Sequence, residues 1–221
     1  MIYGPFGLPI ITATLGVAVF RVYGGIMNAG IAVFVDFENL RRVGASLFAP
    51  DLSNEATVCP SLVADLIATR RPTATPVTSI TVVRGEPSRF RDPHAASRFG
   101  RDAARWSLDP RIRKRFRPLH YGPHGAKESG VDVRLSLDFV EAAKSRRFEA
   151  VVLLTGDSDF GPALDDAASS GTRVELAFWA KEAKRFGSPL ADYAIRQKYL
   201  WAHQLTEDGF WDCVPDQRTA A

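Results

Sequence analysis

Two uninterrupted runs of apolar residues, each leading to an aspartate, dominate the hydrophobic pattern of this chain. One occupies residues 31–35 and ends at Asp36, and the other occupies residues 151–154 and ends in a turn that contains Asp157. Because neither run alternates with polar residues, both are predicted to be parallel strands covered on both faces. Parallel strands end at a common edge of the sheet, where open α/β folds bind their ligands. The pattern therefore predicts that Asp36 and Asp157 lie near each other.

The rest of the chain alternates between helix and strand signals. Helices are predicted at residues 60–71, 92–108 and 160–170, after Asp36 and after Gly130, and strands at residues 77–84, 115–121 and 172–179. The helix after Gly130 is predicted to bury Val131, Leu135, Phe139, Val140 and Ala143. Residues 188–193 are predicted to form a short capped helix, whereas residues 201–221 are a tail that we assign only to packing against the body. This alternation is typical of an α/β fold around a mainly parallel sheet.

The N-terminal segment is strongly apolar between residues 4 and 20 but does not have the pattern of a membrane span. Pro5 and Pro9 interrupt it, the remaining run is shorter than the roughly 20 residues that a span requires, and no basic residue precedes it. We expect residues 1–26 to be a poorly ordered extension, or the product of an upstream start codon, and the folded domain to occupy residues 27–200. A weak anchor or signal is the alternative reading.

Composition and cysteine content narrow the class of protein. The chain has 221 residues, of which 46% are hydrophobic, enough for one well-buried core. Cys59 and Cys213 stand far apart and belong to no CxxC or zinc-binding pattern. Neither a disulfide framework nor a structural zinc site is therefore predicted, and a reducing cytoplasm fits this usage.

Positive charge is concentrated between residues 84 and 127, where basic residues far outnumber acidic ones although the whole chain carries only +3. Aromatic residues are interleaved with them, at Phe90, Phe99, Trp106, Phe116 and Tyr121. This composition is expected of a surface that neutralises phosphates and stacks on bases. The candidate nucleic-acid-binding residues are Arg84, Arg89, Arg91, Arg98, Arg101, Arg105, Arg113, Lys114 and Arg115. The alternative is a solvated basic helix whose aromatic residues face the core.

Acidic residues mark the predicted sheet edge. Asp157 and Asp159 share one turn, Asp132 falls in the first turn of the helix after Gly130, and Asp36 ends the first strand. Grouped carboxylates repel one another unless a cation neutralises them, and hard oxygen ligands suit Mg²⁺ or Mn²⁺. Helix capping is the ordinary alternative for Asp157, Ser158 and Asp132. Asn39 either orients Asp36 or satisfies free amides at the helix start, and Asp138 is a supporting candidate.

Four segments together resemble the NYN domains, relatives of the PIN-domain nucleases. They are DFENL at residues 36–40, KESGVDVRLSLD at residues 127–138, TGDSDF at residues 155–160 and SPLADY at residues 188–193. The resemblance implies a three-layer α/β/α, PIN-like sandwich and cleavage of RNA with Mg²⁺ or Mn²⁺. It also implies the site residues, with metal-binding acids at Asp36, Asp132, Asp157 and Asp159 and supporting residues at Asn39, Lys127, Thr155 and Ser158.

Glu128 departs from the resemblance, because the family usually has a second basic or polar residue before the glycine. The arginine-rich region between residues 84 and 117 does not align with a family motif. The mechanism that the resemblance implies is metal-assisted hydrolysis of a phosphodiester, which requires no serine or cysteine nucleophile. Lys127 is the candidate for stabilising the charge of the transition state.

Two other functions remain open at the level of sequence. A haloacid-dehalogenase-type phosphatase also uses aspartates at strand ends, but it needs a second aspartate two residues after the nucleophile, and Asp36 is followed by Phe37 and Glu38. A non-catalytic PIN-like module that binds RNA is the second alternative. Retention of all four acids argues against that module, since clustered carboxylates without a metal cost stability.

Overall fold

A computed structural model of the protein describes residues 30–52, 57–181, 190 and 200–215. The expectations for residues 1–26 and for the helix at residues 188–193 fall outside this part of the chain, apart from Leu190. Within it, no helix combines the length and the apolar character that crossing a membrane requires.

In the described residues, six parallel strands form the central sheet. They are β1 (Ile31–Asp36), β2 (Val77–Glu86), β3 (Ile112–Pro118), β6 (Ala150–Leu154), β7 (Arg173–Trp179) and β8 (Trp201–Leu205), arranged in the order β3-β2-β1-β6-β7-β8. The short strands β4 (His120–Gly122) and β5 (Gly125–Lys127) form a separate antiparallel hairpin. Every residue of β1 and β6 is buried, which explains why their sequences show no polar alternation.

Helices cover both faces of the sheet. They are α1 (Phe37–Phe48), α2 (Pro60–Thr69), α3 (Pro93–Trp106), α4 (Val131–Ser145), α5 (Gly161–Ala168) and α6 (Glu207–Asp212), with 3₁₀ turns at Pro50–Leu52 and Ser158–Phe160. Ile31, Val33 and Val35 of β1 pack against the layer that contains α1, α2 and α6. Ala32 and Phe34 pack against α4 and α5 on the opposite face. The predicted three-layer α/β/α fold is therefore confirmed.

After β1 and after β6 the chain crosses to opposite faces of the sheet. After β1 it enters α1 on one face of the sheet, and after β6 it enters the 3₁₀ turn and α5 on the other face. These two strands are neighbours in the sheet, although they are far apart in the chain. Such a switch point opens a crevice at the carboxyl ends of the two strands, and this is where doubly wound sheets bind ligands.

Residues 201–212 complete the part of the fold that the structure describes. They form edge strand β8 and helix α6, for which the sequence predicted only packing against the body. Phe210 of α6 packs against Phe48 and Trp179. Gly44 permits this approach, because a Cβ there would lie 2.7 Å from the Phe210 ring.

Candidate functional site

Asp36 forms the buried floor of the crevice. It ends β1 and caps α1, where its Oδ1 accepts a hydrogen bond from the Asn39 backbone N–H at 3.3 Å. Its Oδ2 accepts a hydrogen bond from the Thr155 hydroxyl at 2.9 Å. Because Asp36 is only 4% exposed, these two contacts fix the orientation of its carboxyl group.

The loop after β6 is tied to the start of α1. The Asn39 Oδ1 accepts the Gly156 N–H at 2.9 Å, and the Thr155 hydroxyl oxygen accepts the Asp157 N–H at 3.2 Å. Asn39 thus joins the two loops through its side chain while its backbone N–H satisfies Asp36. Thr155 connects the loops a second time, so the ends of β1 and β6 form one cross-linked unit.

Asp157 caps the turn in which Asp159 lies. Its Oδ1 accepts the Asp159 N–H at 3.0 Å, so the capping role considered for Asp157 is present in the structure. Asp157 is half-buried, whereas Ser158 and Asp159 are exposed at the rim of the crevice. A cap uses one carboxylate oxygen and leaves the other available, so capping does not exclude a second role.

Asp132 reaches the same edge from α4. It lies in the first turn of that helix, two residues after Gly130, whose φ of 70° lets the chain turn sharply out of the hairpin. Although Asp132 is exposed, partial desolvation by its surroundings raises its pKa, and the negative charges of Asp157 and Asp159 raise it further. The carboxylates of Asp157 and Asp159 are therefore close enough to Asp132 for their charges to act on it.

Among the acids of the crevice, Asp36 has the largest change in pKa. Burial raises its pKa to about 7, against the hydrogen bonds from Thr155 and Asn39, and the charges of Asp132 and Glu128 act in the same direction as burial. The crevice therefore contains more negative charge than its hydrogen bonds neutralise. Asp36, Asp132, Asp157 and Asp159 belong to one electrostatic group, but they differ in depth from the buried floor to the exposed rim.

These carboxylates are not assembled as a compact ligand cluster. Among the residues that the structure describes, no three His, Cys, Asp or Glu side chains are grouped closely enough to hold a metal ion. The donors at the crevice are nevertheless all oxygen atoms, the type that Mg²⁺ and Mn²⁺ prefer.

Glu128 is a fifth acid of this edge, although in the sequence it stands out only as a departure from the family pattern. Its Oε1 accepts the Gly85 N–H at 2.6 Å. Burial raises its pKa, as do the charges of Glu38 and Asp132. The signal that could have identified it is its place in the KESGVD segment, four residues before Asp132.

The two remaining candidates from the acidic segments, Lys127 and Asp138, have other contacts. Lys127 is the exposed last residue of β5, where it pairs with His120. Asp138 pairs instead with Arg134 at 2.7 Å and with Arg115 at 3.5 Å, which ties α4 to the edge strand β3. Its neighbours are therefore arginines rather than the other acids.

The basic segment divides between two faces of the sheet instead of forming one surface. Arg84 is half-buried against the rings of Phe37, Phe99 and Trp106 and pairs with Asp102 at 2.8 Å. Lys114 bonds to the Ala103 carbonyl and the Ser107 hydroxyl at the end of α3. On the opposite face of β3, Arg113, Arg115 and Arg117 are exposed. Arg89, Arg91, Arg98 and Arg101 are also exposed.

A pocket opens beside the acidic crevice. Its wall includes Glu38 and Glu128 together with Arg41, Arg42 and Arg98. Glu38 accepts hydrogen bonds from Arg41 at 2.6 Å and from Arg42 at 3.0 Å. The pocket therefore places positive charge next to the negative charge of the crevice.

The fold and the crevice define an open, parallel α/β protein with an acidic switch point. The family model of the NYN domain matches residues 30–195, so the chain belongs to the NYN domain family. Among solved structures, a protein of unknown function from Vibrio parahaemolyticus is similar, with a TM-score of 0.49 and 17% identity over 79% of this chain and 93% of that one. No curated protein matches.

Proposed function

We propose that this NYN-domain protein is a ribonuclease that hydrolyses RNA phosphodiester bonds with Mg²⁺ or Mn²⁺. The observation that carries the proposal is the buried Asp36, whose pKa is raised to about 7 at a switch point also reached by Asp132, Asp157 and Asp159. Such unneutralised negative charge is costly for the fold, and a divalent cation would offset it.

Asp36, Asp132, Asp157 and Asp159 would supply the oxygen ligands of the metal, and binding would require their side chains to come closer together than they lie in the described structure. When bound, the ion supplies Lewis-acid chemistry by lowering the pKa of a coordinated water and by neutralising charge on the phosphoryl oxygens. Thr155 and Asn39 keep the carboxylate of Asp36 and the loop of Asp157 in place. Lys127 would stabilise negative charge as it develops, and exposed arginines of the basic segment would hold the RNA backbone. Arg84 and Lys114 do not belong to that surface, because their side chains contact other residues of the fold.

The cytoplasm is the proposed location of this activity. Both RNA and Mg²⁺ are abundant there, and Cys59 and Cys213 are free thiols, as a reducing compartment requires.

Cleavage assays with single-stranded and structured RNA test the proposal. We expect cleavage with Mg²⁺ or Mn²⁺, none with EDTA, and a loss of more than about a hundredfold in Asp157→Asn, beyond the usual effect of losing an outer partner of a metal ligand. The asparagine oxygen can still accept the Asp159 N–H, so the turn should remain folded. Equal cleavage in EDTA, or full activity of the variant, would refute the proposal.

Lys127→Ala is expected to lower kcat by about tenfold or more while changing KM little, because charge on the phosphoryl group grows mainly in the transition state. Steady-state kinetics on a short RNA measure both parameters. Lys144→Ala is the matched control, since Lys144 is an exposed lysine at the far end of α4 that pairs with Asp166. An unchanged kcat in Lys127→Ala would remove Lys127 from this role.

A non-catalytic RNA-binding module is the second candidate, favoured by the absence of a compact three-ligand cluster in the described part of the chain. It predicts RNA binding that neither EDTA nor Asp157→Asn abolishes, with no cleavage under any condition. A haloacid-dehalogenase-type phosphatase has less support. The residue two positions after Asp36 is Glu38, which pairs with Arg41 and Arg42 instead of standing free as a general acid.

A further inference from the structure

Phe90 is the most exposed large apolar side chain in the described part of the chain. It is 99% exposed and lies in the turn between β2 and α3, at the carboxyl edge of the sheet. A phenylalanine side chain left in water forgoes the favourable free energy of burying its apolar surface. The other aromatic residues of the basic segment avoid this cost to different degrees, since Phe99 and Trp106 are buried and Phe116 and Tyr121 are half-buried.

The backbone that carries Phe90 is held by several hydrogen bonds. The Ser88 N–H donates to the Tyr121 hydroxyl at 2.8 Å, and the Ser88 hydroxyl oxygen accepts the N–H groups of Phe90 and Arg91 at 3.3 and 3.4 Å. The Asp92 N–H donates to the Ser88 carbonyl at 2.9 Å. The turn is therefore pinned to the β4–β5 hairpin, and the ring of Phe90 projects from a fixed base.

The surroundings of Phe90 are cationic. Arg89 and Arg91 flank it and are exposed, and Arg98 is exposed on the following helix. The Arg91 guanidinium lies 5.6 Å from the centre of the Tyr121 ring, close enough to favour a planar, stacked arrangement. Positive charge on both sides of a free aromatic face complements a polyanion whose bases are also planar and aromatic.

A protein partner fits this site less well than a nucleic acid. The other large exposed apolar side chains that the structure describes are Leu52, Leu62, Leu108, Val133, Leu137, Trp201 and Trp211. None of them belongs to the turn, to α3 or to the hairpin, so Phe90 is not the centre of an apolar patch. Protein interfaces normally surround an aromatic anchor with other apolar contacts, whereas one base needs only one ring.

The turn is continuous with the acidic crevice. Pro87, three residues before Phe90, lines the pocket that also includes Arg41, Arg42 and Glu128. Glu128 of that pocket is held by the Gly85 N–H at 2.6 Å and lies four residues before Asp132, one of the crevice acids. A path therefore runs from Phe90 through an arginine-lined pocket to the carboxylates.

We propose that Phe90 stacks on a base of single-stranded RNA, which passes along this path while Arg89, Arg91 and Arg98 contact its phosphates. The identity of the ligand as RNA rests on the proposed function, whereas its single-stranded state follows from Phe90. In a duplex, every base is already stacked between its neighbours and offers no face to a protein ring. The substrate class of the site is therefore unpaired RNA.

Binding measured without cleavage tests this inference. Binding of a labelled single-stranded RNA to the full chain with Asp157→Asn is measured by fluorescence anisotropy in EDTA. The measurement is repeated with variants that carry a second substitution at Phe90. We expect Phe90→Ala to weaken binding about tenfold, Phe90→Trp to preserve it, and Phe90→Leu to behave like Phe90→Ala, since leucine is apolar but cannot stack. Binding of a blunt RNA duplex should change less than about twofold, because its bases are inaccessible to Phe90.

Leu108→Ala is the matched control. Leu108 is 84% exposed but lies before β3, at the opposite end of the sheet, and its truncation should leave RNA binding unchanged. The inference would be overturned if the protein did not bind single-stranded RNA, or if Leu108→Ala and Phe90→Ala weakened binding equally. It would also be overturned if Phe90→Leu kept full affinity, or if Phe90→Ala weakened duplex binding as much as single-strand binding. Tighter binding of the matching single-stranded DNA would overturn the assignment to RNA. Absence of cleavage with a retained Phe90 effect would instead refute only the nuclease proposal.

Discussion

Replacement of Asp36 by asparagine is expected to abolish RNA cleavage and, at the same time, to stabilise the metal-free protein. The loss of activity should exceed about a hundredfold, because the variant lacks the carboxylate at the floor of the metal-binding group. The gain in stability follows from the buried position of Asp36, whose pKa rises from 3.8 to about 7 in the folded state. Asparagine has the same shape, carries no charge and can still accept the Asn39 N–H.

The sign of the pH dependence follows from linkage. Below pH 3.8 the Asp36 carboxyl is neutral in both the folded and the unfolded chain, so its burial does not lower the free energy of unfolding. As pH rises from about 4 to about 7, the unfolded chain loses this proton first, so the wild-type protein loses stability across that window and remains penalised above it. The gain for Asp36→Asn should therefore be small near pH 4 and reach on the order of 1–4 kcal/mol at pH 8.

Urea unfolding in EDTA at pH 4.5 and pH 8 measures this effect, alongside the cleavage assay with Mg²⁺. Asp208→Asn is the control, since Asp208 is exposed on α6 and should change neither stability nor activity appreciably. Loss of both activity and stability at pH 8 would contradict the prediction, because it would mean that the charged form of Asp36 supports the fold.

Glu175→Ala is expected to destabilise the protein by about 3–5 kcal/mol, the usual cost of removing one partner from a buried ion pair. Glu175 is fully buried and contacts Arg71 at 3.0 Å, Arg173 at 2.8 Å and His203 at 2.9 Å. Arg71 also pairs with Glu149 at 3.1 Å, and one of its guanidinium nitrogens, Nη1, is buried without a hydrogen bond. The substitution would leave Arg71 and His203 buried with even fewer partners.

The same network predicts a loss of stability in acid. Burial alone would raise the pKa of Glu175, but the hydrogen bonds and charges of His203 and Arg71 outweigh burial, and its pKa is lowered. Ionised Glu175 therefore stabilises the fold at pH values above its ordinary pKa of 4.5. This stabilisation disappears as the pH falls through the lowered pKa.

Urea unfolding of Glu175→Ala at pH 7, and of the wild type between pH 7 and pH 3, measures both effects. Glu149→Ala is the matched control, because Glu149 contacts the same arginine from a site that is 40% exposed and should cost much less. A cost below about 1 kcal/mol for Glu175→Ala would contradict the buried-pair prediction. RNA cleavage by this variant, measured well below its melting temperature, should match the wild type, since Glu175 lies outside the crevice.

The central elements and the identity of most crevice residues could be predicted from the sequence. Strand β1 ends at Asp36 as predicted, and α4 buries Val131, Leu135, Phe139 and Ala143 with Val140 partly buried. Hydrophobic periodicity determines these features, because it records which faces of each element meet the core. The parallel arrangement then brings Asp36 next to the turn of Asp157 without any further information.

Only the tertiary structure decided the environment of each side chain. The raised pKa of Asp36, the contact between Glu128 and Gly85, and the division of the arginines between two faces all depend on neighbours distant in the chain. Phe90 and Phe99 are indistinguishable by composition, yet one is fully exposed and the other is buried. The physical reason is that burial and electrostatic energy depend on distances between segments, whereas the local pattern of a sequence records only the periodicity of each segment.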